Sequence, residues 1–171
     1  MESLAFWFSP SGRIAPKPFA RGIVAVYVAA ALSLLLMSAP VMLRVGFAPF
    51  AFVQALACWA WFCLHAKRLR DAGRDAGAAL AVAGLYAMAI VLLLLMLTLA
   101  APLGGDAQAP AAGAAGAWTD LFALTGGDTD LGLFGYVGAG LLALIVLPVL
   151  TAVAFSIWAA TRRGAAAVNP P

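Results

Sequence analysis

Charge is what this chain has least of. Of its 171 residues 10% are charged and 65% are apolar, with a mean hydropathy of +1.02, whereas roughly a quarter of the residues in a soluble domain are charged. That shortage excludes an ordinary water-soluble globule and leaves a single membrane domain. Histidine occurs once, at His65, with no second ligand at helical spacing, so it reads as a satisfied histidine near the membrane interface rather than a metal ligand. The only two cysteines, Cys58 and Cys63, stand five apart inside an apolar run. This spacing fits neither a CxxC redox pair nor a zinc site, and both read as small buried apolar residues. GxSxG, HExxH and Walker patterns are missing, as is any pair of acids within an apolar run, and the serines have no base at a recognisable spacing. No catalytic, cofactor or metal residue is assigned, and the chain is expected not to be an enzyme.

The basic residues that are present carry the most information. Nine of the ten fall in three clusters: Arg13, Lys17 and Arg21; Lys67, Arg68, Arg70 and Arg74; Arg162 and Arg163; only Arg44 lies elsewhere. Between the clusters run four long apolar stretches, so the basic segments alternate with segments almost free of positive charge. The positive-inside rule requires this of an even number of spans with both termini in the cytoplasm. The net charge of +3 is therefore spent on orientation, and no nucleic-acid partner is expected.

The expected fold is an all-α integral membrane protein, four transmembrane helices in an antiparallel bundle. A cytoplasmic arm covers residues 1–19, the membrane domain 20–160 and a cytoplasmic tail 161–171. Span 1 runs from about residue 20 to 39, long enough to cross roughly 30 Å of hydrocarbon. It is also longer than the apolar region of a signal peptide, and Met37 occupies the position where a cleavage site after Ala39 needs a small residue. A tight external connection from Pro40 to Pro49 carries Arg44. Span 2 covers about 50–66, with Trp59, Trp61 and Phe62 placed at the headgroup boundary. Span 3 covers about 76–101 and has little polar besides Tyr86 and Thr98. An external loop, 103–130, rich in Ala, Gly and Pro, contains four aspartates and no Lys or Arg; within it Trp118 to Leu124 reads as a surface-lying amphipathic turn. Span 4 covers about 131–160, with Asp130 as its N-cap, Pro148 as a kink or tilt and Trp158 at its inner end.

Two local patterns take structural readings. Gly138, Gly140 and Ala143 match GxGxxA but lack the preceding strand of a dinucleotide site. Gly132, Gly135 and Gly138 give a neighbouring helix a smooth surface. The inner turn, from His65 to Gly77, is the one dense cluster of charge. Lys67, Arg68 and Arg70 fit the last turn of a helix, Gly73 its left-handed C′ position, and Asp75 the cap of the next helix. Asp71 is out of place there, because the helix dipole disfavours a carboxylate in a last turn. It is expected to hold a cation, with Arg68, Arg74 and, from the arm, Arg13 as the options. The Arg13 pairing is the one that would organise the cytoplasmic face.

Ser11-Gly-Arg-Ile14 followed by Lys17 and Phe19, together with Arg68-Leu-Arg-Asp-Ala-Gly-Arg74, resembles the paired signatures of a bacterial inner-membrane family, domain of unknown function 805, roughly GRISRKxFW and RRLHDxGRSGWW. Arg13 matches the first motif; Arg68, Leu69, Asp71, Gly73 and Arg74 match the second. Arg70 stands where the family has His, Gly77 and Ala78 stand in place of two tryptophans, and Ala20 in place of another. The resemblance implies a small multi-pass protein of the bacterial inner membrane and brings no activity with it.

The resulting functional expectation is a non-catalytic membrane protein whose basic inner face binds anionic lipid headgroups or a protein partner, which includes a membrane-protein partner or a second copy of the chain. The candidate residues are Arg13, Lys17, Lys67, Arg68, Arg70, Asp71, Gly73 and Arg74. A small transporter or channel component is the alternative, opposed by the shortage of ionisable residues within the spans.

Overall fold

The structure, a computed structural model, describes residues 6–100 and 132–162. The loop 103–130, the Trp118 to Leu124 turn, the Asp130 cap and nearly all of the tail lie outside the described residues, as do the side chains at Gly132, Gly135, Gly138 and Gly140. All regular structure among the described residues is helical: α1 Pro16–Leu32, continued as a 3-10 turn Ser33–Met37; α2 Ala39–Val45; α3 Ala48–Asp71; α4 Gly77–Ala100; and α5 Gly132–Thr161. Three helical stretches are long and apolar enough to cross a membrane, Pro16–Met37, Ala48–Asp71 and Gly77–Leu95, and α5 contributes a shorter apolar stretch, Val146–Thr161.

The helices begin and end where local chemistry dictates. Helix α1 starts at Pro16, four residues before the expected span, because Pro16 and Pro18 occupy first-turn positions whose N–H groups would have no intrahelical acceptor. Lys17 is thereby a helix residue and not part of the arm. At the far end the Ser33 hydroxyl donates to the Ala30 carbonyl at 2.6 Å, and the chain tightens into the 3-10 turn. The tight connection expected from Pro40 to Pro49 is built around the short helix α2, with proline in its first turn, Arg44 in its last and Gly46 at φ +64° behind it. Helix α3 has 24 residues, about 36 Å at 1.5 Å per residue. It therefore overhangs a 30 Å hydrocarbon layer and carries Lys67 to Asp71 beyond the apolar run that defined span 2. Helix α5 continues through Pro148.

Helix α3 is central: it packs against α1, α4 and α5, while α4 also packs against α5 and α5 touches α1. Its buried face carries Phe50, Gln54, Trp61, Leu64, His65 and Arg68. Phe19, Ile23 and Val26 of α1, Ala79 and Ala83 of α4, and Ala152 and Ala159 of α5 close the core around it. Trp61, expected at the headgroup boundary, is instead buried and stacks on His65 with ring centroids 3.7 Å apart. Residues 61 and 65 are one helical turn apart, so the two rings lie on the same inward face.

The polar residues inside this apolar bundle are bonded to one another across helices. Trp61 Nε1 donates to the Tyr27 hydroxyl at 3.1 Å, and Tyr27 and Ser156 hydroxyls are 2.9 Å apart. Ser156 Oγ lies 3.0 Å from His65 Nε2, and His65 Nδ1 lies 2.8 Å from the Trp61 carbonyl. A carbonyl can only accept, so His65 donates from Nδ1 and its Nε2 is an acceptor; the single Ser156 hydrogen lies between that nitrogen and the Ala152 carbonyl, 2.8 Å away, while Ser156 accepts from Tyr27 and Tyr27 accepts from Trp61. The circuit begins at the Trp61 side chain, crosses α1 and α5, and returns to the Trp61 backbone. A second knot joins α1, α3 and α4: Gln54 Nε2 donates to Ser33 Oγ at 3.0 Å and to the Ala30 carbonyl at 3.3 Å, while Tyr86 donates to Gln54 Oε1 at 2.9 Å. Because hydrocarbon offers no replacement partner, these bonds fix helix rotation as well as proximity.

Candidate functional site

The site lies where the start of α1, the end of α3 and the end of α5 meet. Its turn is built by local chemistry. The Gly73 N–H donates to the Arg70 carbonyl at 3.1 Å and the Arg74 N–H to the Leu69 carbonyl at 2.8 Å, the paired bonds of a Schellman motif, with Gly73 at φ +72° as the left-handed residue. Asp75 Oδ1 then accepts from the Gly77 N–H at 2.7 Å at the start of α4. The C-cap and the N-side cap both stand as the turn residues indicate.

Asp71 pairs with Arg68, three residues before it on the same helix. Of the three expected options, Arg68, Arg74 and Arg13, the pair formed is with Arg68, and the pairing with Arg13 that would have organised the cytoplasmic face is not the one formed. Arg13 is exposed and its side chain makes no hydrogen bond or ion pair among the described residues, because one turn of α3 already delivers a guanidinium to the carboxylate. Arg68 does more than neutralise Asp71. Its side chain is 0% exposed, its Nε donates to the Ala159 carbonyl at 3.1 Å and a terminal nitrogen donates to the Arg162 carbonyl. The last carbonyls of a helix have no partner within it and form the negative end of its dipole. Arg68 fills that role for α5, and the fork geometry of guanidinium serves two carbonyls and one carboxylate at once.

The N-terminal arm is held by its backbone. Lys67 Nζ donates to the Phe6 carbonyl at 2.7 Å and lies 5.5 Å from the Phe6 ring centroid. Trp59 Nε1 and the Cys63 thiol both donate to the Phe8 carbonyl, at 3.1 and 3.3 Å, and Arg70 donates to the Pro10 carbonyl. Residues 59, 63, 67 and 70 are spaced four, four and three, a single stripe along α3. Alternate carbonyls of the arm thus run along one helix face, which explains how a basic cluster can bind residues 6–10 although none of them is acidic.

The expected binding set therefore divides. Arg68 and Lys67, the latter 6% exposed, are inside the protein, and Asp71 and Gly73 build the turn. Arg13, Lys17, Arg70 and Arg74 are exposed. Three residues absent from that expectation belong with them. Arg21 is exposed one turn beyond Lys17, and Arg162 is exposed beyond α5. Trp158 lies beneath two guanidiniums, 4.6 Å from that of Arg162 and 5.6 Å from that of Arg74, both within cation–π range. At this end Asp71 is paired with Arg68 and Asp75 accepts from a backbone N–H, so among the described residues six exposed cations stand against one exposed carboxylate, that of Asp75.

His65 and Ser156 form a hydrogen-bonded pair that spacing alone did not reveal. Both are buried, and the imidazole's other nitrogen bonds a backbone carbonyl rather than a carboxylate; the hydroxyl also bonds Tyr27 and the Ala152 carbonyl. The pair ties helices together and presents no reactive atom to a substrate. Cys58 and Cys63 are free thiols, each bonded to a carbonyl. No protein-family model matches the chain, and no curated protein or solved structure matches it either.

Proposed function

We propose that this is a multi-pass protein of the bacterial inner membrane, four spans packed as an antiparallel bundle with both termini in the cytoplasm, and that its basic end retains anionic phospholipid at the cytoplasmic surface without catalysing a reaction. The observation that carries the reading is the set of six exposed cations, Arg13, Lys17, Arg21, Arg70, Arg74 and Arg162, against a single exposed carboxylate, Asp75, among the described residues. Each such residue beside an anionic leaflet adds roughly 1 kcal/mol of attraction. The helix boundaries support the placement, since α3 overhangs the hydrocarbon at the end that carries the charge. The two motifs around Arg13 and from Arg68 to Arg74 support kinship with domain of unknown function 805, and they are the whole basis for it.

Lipid retention separates this reading from its competitors. The full chain, purified in mild detergent and titrated with phosphatidylglycerol or phosphatidylcholine, is examined by native mass spectrometry. Several-fold tighter retention of phosphatidylglycerol is expected. Equal retention of the two lipids, with an acidic protein co-purifying, would replace the lipid by a partner; substrate-dependent flux in liposomes would replace it by a transporter.

A further inference from the structure

The arm and α1 enclose a cleft of about 370 Å³ whose lining includes Phe6, Trp7, Lys17, Arg21, Gly22 and Ala25. One wall is aromatic, with Phe6 and Trp7 packed edge to face at 5.2 Å. The opposite wall is the first turns of α1, where two cations stand one turn apart and run on into the apolar surface of the helix. The wall formed by the arm is fixed, because α3 holds the carbonyls of Phe6, Phe8 and Pro10.

The cations are badly placed for the helix that carries them. Lys17 lies in the first turn, at the positive end of the dipole, with no acidic residue in that turn. Arg21 follows at i+4, and like charges at that spacing repel. An anion between them relieves both conflicts. Orientation alone explains why positive charge belongs at this end of the bundle, but it does not explain a cleft with aromatic and aliphatic walls beneath the charges.

Resting on the reading of the basic end as a lipid-retaining surface, the geometry points to a defined site for one anionic phospholipid in this cleft. The phosphodiester sits between Lys17 and Arg21, and the first carbons of the acyl chains lie along Ala25 and the rings of Phe6 and Trp7. Gly22, on the buried face of α1 next to Arg21, lets α1 and the Phe6 end of the arm pack closely on α3. A Cβ there would meet Leu64 at 3.2 Å and Phe6 at 3.5 Å.

The test uses the full chain in mild detergent with phosphatidylglycerol brominated in its acyl chains, and phosphatidylcholine brominated likewise. Quenching that is lost in Trp7→Phe reports lipid in the cleft, and native mass spectrometry reports total retention. Lys17→Gln with Arg21→Gln is expected to weaken the Trp7-dependent quenching by phosphatidylglycerol about ten- to thirty-fold. Arg74→Gln with Arg162→Gln, both at Trp158 and outside the cleft lining, is expected to lower total retention and leave the Trp7-dependent signal unchanged. If the wild-type chain prefers phosphatidylglycerol but the first pair of substitutions has no effect and the second abolishes retention, the surface reading stands and this site is wrong. If the wild-type chain shows no preference, both fail. Displacement by soluble glycerol phosphate as effectively as by unlabelled phosphatidylglycerol would overturn the lipid assignment and leave a site for a free phosphate.

Discussion

Replacing Arg68 by methionine should be the most damaging single change at the basic end of the bundle. The substitution keeps most of the side-chain volume and removes three polar bonds at once: to the Ala159 carbonyl, the Arg162 carbonyl and Asp71. Arg68 is 0% and Asp71 22% exposed, so the pair is desolvated on one side and close to water on the other. Removing one member of a buried pair typically costs about 3 to 5 kcal/mol. Asp71 can partly recover by hydration, which places the expected loss near the lower end, about 3 kcal/mol. Arg68→Lys should recover only part of it, since an ammonium cannot serve two carbonyls and a carboxylate in one plane.

The assay is reversible unfolding of the full chain in mixed detergent micelles, with Arg68→Met, Asp71→Asn and Arg13→Gln measured alone and in pairs. Coupling of roughly 1 to 3 kcal/mol is expected between residues 68 and 71, and none beyond about 0.5 kcal/mol between 13 and 71. Arg13→Gln alone should fall within about 0.5 kcal/mol of the parent, as exposed substitutions usually do. An Arg68→Met loss that small, or stronger coupling of Asp71 to Arg13 than to Arg68, would refute the assignment of Arg68 as the cap of α5.

Tyr27→Phe breaks the circuit through Trp61, Ser156 and His65 and should cost about 1 to 2 kcal/mol in the same unfolding assay, at the upper end for hydrogen bonds between membrane helices; a loss no larger than that of an exposed substitution would mean the hydroxyl is not shared as described. Gly73→Ala should cost about 1 to 2 kcal/mol because φ +72° is strained for a residue with a Cβ, whereas Gly73→Asn should cost clearly less. Reporter fusions after Pro171 and near Ala112 should report cytoplasm and periplasm respectively, and the reverse for either would break the four-span arrangement.

What could be read from the sequence at this end was whatever is settled within a few residues. The last-turn cations, Gly73 and Asp75 solve the problem of ending one helix and starting another, and each solution is local. The partner of Arg68 was not legible, because Ala159 and Arg162 lie more than ninety residues away and offer backbone carbonyls, which every residue has. The docking of the arm was hidden for the same reason. For Asp71 the local option, Arg68 at i−3, is the one formed, while Arg13 was an option only because opposite charge is the one signal visible at long range. Some of the core was available in principle: Trp61 and His65 at i+4, with Tyr27, Gln54, Tyr86 and Ser156, are polar groups in stretches that cannot leave them unbonded. That rule shows that they pair but not which pairs with which.

Lys67 and Arg68 also show why a count of basic residues overstates the charge available for binding. During insertion every Lys and Arg near a helix end is exposed and contributes to orientation. After folding, Lys67 is bonded to the Phe6 carbonyl and Arg68 is enclosed between α3 and α5, so neither can meet a headgroup. The exposed remainder divides by position. Arg70 is bonded to the Pro10 carbonyl, while Arg74 and Arg162 flank Trp158; Lys17 and Arg21 stand together over a cleft with no acid in their turn of the helix. The same residue type therefore acts as cap, as clamp and as free charge within one cluster. Which role a residue takes follows from the face of α1 or α3 it occupies, because the faces of α3 turned toward α5 or the arm find carbonyls, whereas the Lys17 and Arg21 side chains on α1 have no carbonyl within hydrogen-bond reach among the described residues.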